Sequence, residues 1–179
     1  MATLLLGCAS APAQPVPETL VSPTSRHGYA LLFSLMTQEK DLSKLLLIKR
    51  EREDFSELIG DIARTCGDAH ERLEALAEAD PTLDLEDTGL PRAEPLTREA
   101  IQKTRTQQLL TENGKEFEIQ LLLAQNEALT YASHLTEVLA RAEPDTARLE
   151  LVRFLWKDFE GLQARLWTLL RGRYHWTPD

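Results

Sequence analysis

The stretch Gly114-Lys-Glu-Phe117-Glu118-Ile-Gln-Leu121-Leu-Leu-Ala124-Gln125-Asn-Glu-Ala128-Leu129-Thr-Tyr131-Ala-Ser-His134-Leu135-Thr-Glu-Val138 holds no proline and no glycine after its first residue. Apolar side chains recur at Phe117, Leu121, Ala124, Ala128, Tyr131, Leu135 and Val138, in alternating steps of four and three. That spacing is one face of an α-helix. It predicts a helix over 115–142, bounded in front by Asn113-Gly114. The small residues in its middle predict close approach of a neighbouring helix.

The same periodicity extends in both directions. A helix over 27–49 carries Tyr29, Leu32, Leu35, Met36, Leu42, Leu45 and Ile48. A second, over 54–79, has a seam of Phe55, Ile59, Ile62, Cys66, Ala69, Leu73 and Leu76, with Asp54 and Glu57 spaced as a capping box. No Gly or Pro separates these two. A break near Arg50–Glu53 is expected, because one unbroken helix of about 50 residues would extend ~75 Å and expose its seam. Residues 80–96 read as a loop, through Asp80-Pro81 and Asp87-Thr-Gly-Leu-Pro91. A short helix over 97–112 follows. The last helix, over 144–171, is expected to open on Pro144 and to bury Leu151, Val152, Leu155, Phe159, Leu162, Leu166, Leu169 and Leu170. The fold class is therefore all-α: an antiparallel four-helix bundle with one short extra helix.

Composition agrees and excludes some roles. The chain has 179 residues, a formal net charge of -9, and eight Gly with nine Pro. The acidic balance argues against unspecific nucleic-acid binding, which needs a basic face for phosphates. Two cysteines cannot form a disulfide framework.

The ends differ from the body. Leu5-Leu6-Gly7-Cys8 resembles the lipobox of bacterial lipoproteins, so residues 1–8 read as the remnant of a lipoprotein-type signal with Cys8 the lipidated residue. Residues 9–26 carry Pro12, Pro15, Pro17 and Pro23 with many Ala and Ser, the composition of a disordered spacer. The bundle domain is placed at 27–171 and a C-terminal tail at 172–179. These features predict a lipid-anchored protein on the periplasmic side of a bacterial envelope; a cytoplasmic bundle without processing is the alternative.

Gly114-Lys-Glu-Phe117-Glu118 followed by Gln125, with Arg72-Leu73-Glu74-Ala75-Leu76-Ala77 before it, resembles a family of ferritin-like helical bundles of bacterial envelopes. The likeness covers about 42–170 and implies an extracytoplasmic helical bundle of no settled function. The family often carries a histidine where this chain has Leu129.

Chemistry-bearing motifs are sparse. A di-iron bundle site needs Glu-x-x-His pairs, but the residues three before the four histidines are Thr24, Gly67, Tyr131 and Gly172. Cys66 and His70 share one side of a helix as the remaining metal candidates, short of the three or four ligands zinc requires. Asp84, Glu86 and Gly89 follow an EF-hand-like count that fails at Pro95, where a bidentate Glu belongs. There is no Gly-x-Ser-x-Gly and no phosphate loop. The sequence thus predicts a non-enzymatic interaction or structural module without a cofactor; a degenerate ferritin-like metal or redox protein is the rival. Charge is uneven: residues 67–94 hold nine acids against Arg72 and Arg92, while 148–173 hold six bases against three acids. Trp156, Trp167 and Tyr174, beside Arg153 and Arg171, mark the expected surface for a protein or membrane partner.

Overall fold

Ser22 accepts a hydrogen bond on its hydroxyl from the Ser25 N–H, and Pro23 fills the first helical position, where a missing N–H costs nothing. This cap opens helix α1, Pro23–Glu39. The computed structural model describes residues 22–47, 49 and 52–174. Cys8, residues 1–8 and most of the 9–26 spacer lie outside them. Residues 23–26, expected to be spacer, are helical because the Ser-Pro cap nucleates four residues earlier than the apolar pattern begins.

The first helix also ends early. Instead of running to 49, α1 stops at Glu39, and a 3-10 segment over Leu42–Leu47 follows. The cause is tertiary, since no local breaker is present: Lys40 is held by His70, and Leu42 turns inward to 9% exposure. Helix α2, Glu53–Ala79, buries Phe55, Ile59, Ile62, Cys66, Ala69 and Leu73, the predicted seam. The capping box does not form. Arg52 occupies the cap position, and Asp54 pairs with Arg173 at 2.7 Å from inside the first turn. Helix α3, Ala93–Thr111, starts four residues before its predicted bound and takes Pro95 into its first turn.

Helix α4, Gly114–Ala142, is present as expected, but its buried face is rotated. Phe117 and Leu121 are buried, after which the core takes Leu122, Gln125, Leu129, Ala132, Ser133, Thr136 and Leu139. Tyr131 and Val138 are 36% and 46% exposed. The alternation of apolar residues was a poor guide because the true face carries polar members. Thr136 satisfies its own hydroxyl by donating to the Ala132 carbonyl. Helix α5, Thr146–Tyr174, is capped by Asp145, whose carboxylate accepts from the Arg148 N–H at 2.9 Å; Pro144 precedes the helix instead of opening it. It runs into what was expected to be the tail.

Side-chain pairs set the topology. Tyr29 meets Glu143 and Glu39 meets Gln125, so α1 and α4 are antiparallel. Asp54–Arg173, Asp61–Arg165 and Asp80–Arg148 run antiparallel along α2 and α5. Gln163–Thr130 and Tyr174–Glu118 do the same for α5 and α4. Helices α2 and α4 therefore point the same way, and the chain must return along the bundle between them. Helix α3 makes that crossover, its 19 residues spanning about 28 Å. Gly28 lets α1 approach α4, since a Cβ there would sit 2.6 Å from Leu139 Cδ2. Among the described residues there is no strand, and no helix is long and apolar enough to cross a membrane.

Candidate functional site

The crossover helix is loosely seated. Leu109 is the buried residue of α3, while Leu96 and Ile101 are 57% and 48% exposed. Opposite it, α4 presents Ala124 and Ala128, whose small side chains leave space where a seam of Leu or Phe would have closed it. A groove of about 630 Å³ results, walled by Leu31 and Leu35 of α1, Ile101 and Leu109 of α3, and Ala124 and Ala128 of α4. That volume falls within the ~300–1,000 Å³ range of small-molecule sites.

Two polar side chains form the floor. Gln125 is 3% exposed, and its Nε2 donates to Glu39 Oε2 at 2.8 Å. Its Oε1 is buried without a hydrogen-bond partner. An unsatisfied buried acceptor costs roughly 1–3 kcal/mol. Burial pushes the Glu39 carboxyl above the usual range, against the pull of the Gln125 donor and the Arg105 charge. Cys66 of α2 lines a separate closed void, bordered by Glu39 and Gln125, that has no room for a water molecule. Burial, then the charge of Glu39, pushes its thiol well up, so it stays protonated and inert.

The mouth is charged but largely neutralised. Arg98 pairs with Glu94 at 2.9 Å and lies over the Tyr131 ring. Arg105 pairs with Glu127, and Asp41 with Lys44. Glu39 is left as the acid of the lining without an ion pair among the described residues.

The predicted site residues are placed elsewhere. Cys66, 1% exposed, is a core residue. His70 is stacked on Phe33, and both ring nitrogens are engaged: Nε2 lies 2.9 Å from Lys40 Nζ and Nδ1 lies 3.3 Å from Glu74. Since the ammonium can only donate, Nε2 accepts and Nδ1 carries the proton toward Glu74. Among the described residues no three His, Cys, Asp or Glu side chains gather to hold a metal ion. On α5, Trp156 and Trp167 are half-buried, Trp167 packing against the core beneath Arg171. Arg153 is exposed, whereas Tyr174 turns inward and donates to Glu118. The structure does not gather these five into one exposed patch.

Sequence reasoning missed Glu39 and Gln125. A signal existed for both. Glu39 continues the Leu32–Leu35–Met36 stripe, and Gln125 lies midway between Leu121 and Leu129, at positions where helical spacing calls for an apolar residue.

No family model and no curated protein sequence matches the chain. Two solved structures share its fold. A DUF305 protein from Streptomyces coelicolor, expected by its own description to be secreted, superposes with a TM-score of 0.68 at 16% identity, over 84% of this chain and 94% of that one. A DUF305 fragment from Deinococcus radiodurans gives 0.67 at 19% identity, over 86% and 98%. The chain has the all-helical bundle fold of these proteins. The ferritin-like likeness rests on the sequence resemblance alone.

Proposed function

We propose that this chain is a non-enzymatic, extracytoplasmic binding module that holds a small amphiphilic molecule in the groove between α1, α3 and α4, and that lipid on Cys8 ties it to a bacterial envelope. One observation carries the binding reading: a groove of about 630 Å³, walled by aliphatic side chains of three helices, with the Glu39–Gln125 pair in its lining. A catalytic role has less support. Glu39 is desolvated, as general bases often are, but the other acids of the lining are spent on ion pairs, Asp41 with Lys44 and Glu127 with Arg105.

The extracytoplasmic part is supported by the lipobox-like Leu5–Cys8, the Pro/Ala-rich stretch after it, and the expected secretion of the Streptomyces neighbour. Replacing Cys8→Ser should release the full chain from the membrane fraction; an unchanged distribution would remove the anchor. For the groove, the uncharged dye Nile red should brighten with the wild-type chain and not with Ala124→Phe, which fills the slot. Equal brightening by a folded Ala124→Phe would place the dye elsewhere and end this reading.

A further inference from the structure

Outside the groove, the joint between α3 and α4 carries chemistry of its own. Asn113 and Gly114 are both exposed there, and a Cβ on Gly114 would meet nothing within 4 Å. Gly114 is the first residue of α4, so its N–H is among those that a helix start leaves without an intrahelical acceptor. The Asn113 side chain makes no capping bond to α4. Its Oδ1 accepts instead from the Lys49 ammonium at 3.0 Å, which also holds the Leu110 and Glu112 carbonyls at 3.0 and 2.7 Å.

We propose that Asn113–Gly114 is a self-modification site, where the Gly114 nitrogen closes a succinimide on the Asn113 side chain while Lys49 polarises its carbonyl. Hydroxide takes the Gly114 amide proton, and the nitrogen attacks Cγ of Asn113. A Cγ–N bond forms as the carbonyl pair moves onto Oδ1, the atom that Lys49 faces and so stabilises as charge develops. When that pair returns, the Cγ–Nδ2 bond breaks. The side-chain nitrogen leaves as ammonia with a proton from water, which restores the hydroxide. Water then opens the ring at either carbonyl, giving aspartate or isoaspartate. The attack needs the peptide plane to turn away from the ψ of 159° at Asn113, and Gly114, at φ 57°, can absorb that turn because it has no Cβ. Asn126, the other asparagine of the chain, lies within α4 and precedes Glu127, whose N–H is spent on the helix. Aspartate at 113 would set a negative charge at the start of α4, where the helix favours it. Isoaspartate would lengthen the joint by a backbone carbon.

Peptide mass mapping of the full chain after incubation at pH 8 and at pH 5 tests the site. Asn113 should gain the mass of an amide-to-acid exchange, faster at pH 8, while Asn126 in the same digest stays intact. An isoaspartyl methyltransferase should label the product, because isoaspartate arises only through the ring. Gly114→Ala should lose most of the isoaspartate formed in the same time. Lys49→Met should form it more slowly, and Lys49→Arg should restore the rate. The comparison of the two asparagines in the wild-type chain stands by itself if a variant does not fold. Aspartate without isoaspartate would mean direct hydrolysis and overturn the ring. Equal conversion of Asn126, or none at Asn113, would overturn the site. Formation as fast or faster in Lys49→Met would overturn the part given to Lys49.

Discussion

Glu39 sits on an apolar stripe of α1, and its desolvation sets a pH signature. A carboxyl whose pKa is raised by folding favours the folded state fully below its unfolded pKa, near 4.3 for glutamate, and loses that contribution as pH rises through the folded value. Glu39→Gln, without the burdened charge, should therefore melt higher than wild type at pH 8, and the difference should vanish as pH falls toward 4. The converse dependence in thermal melts would mean Glu39 is stabilised as an anion. At the opposite end of α1, Tyr29 is fully buried and donates to Glu143 at 2.9 Å. Tyr29→Phe should cost about 1–3 kcal/mol in denaturant unfolding, because a buried carboxylate loses one of its donors. The partners of both acids are not legible locally, because Gln125 for Glu39 and Tyr29 for Glu143 come from distant helices.

At the scale of elements, existence was easier to read than facing. Five helices were legible from spacing and turn residues, and the α2 and α5 seams from strings of large aliphatics with few polar interruptions. On α4 the stripe Ala124–Ala128–Tyr131 looked like the seam but lines the groove under α3. A period of 3.6 fixes a helix; it does not tell a face that packs from a face that stands off. The break after Glu39 was placed about ten residues late, since Lys40–His70 is a contact between helices with no local signature. Packing differences should appear in unfolding energies. Leu121→Ala and Ile62→Ala, at 1% and 0% exposure, should each cost about 2–5 kcal/mol. Ile101→Ala on the satellite helix should stay within about 0.5 kcal/mol. Comparable losses at all three would make α3 part of the core.

Across the whole molecule, the acidic stretch 67–94 meets the basic stretch 148–173 through Asp80–Arg148. Asp54 and Asp61, earlier on α2, take Arg173 and Arg165 of α5. The tightest knot closes the end where α4 turns into α5. There Arg148, 10% exposed on its side chain, holds the fully buried Glu143 at 2.9 Å and Asp80 at 2.5 Å. Arg148→Ala should cost about 3–5 kcal/mol in chemical unfolding, because it strands Glu143 as a buried charge. A loss under about 1 kcal/mol would show that solvent reaches that carboxylate.

Helices α1, α2, α4 and α5 thus hold nearly all of the buried core, and the crossover helix α3, which buries Leu109, stands over the groove. Amide proton–nitrogen NMR spectra recorded as Nile red is added test that division most directly. The predicted result is a set of shifts confined to the Gln125 side-chain amide and to residues around Glu39, Ile101 and Leu109, with the Trp156–Trp167 side of α5 unmoved. Shifts centred on α5, or none at the Gln125 amide at saturation, would contradict it.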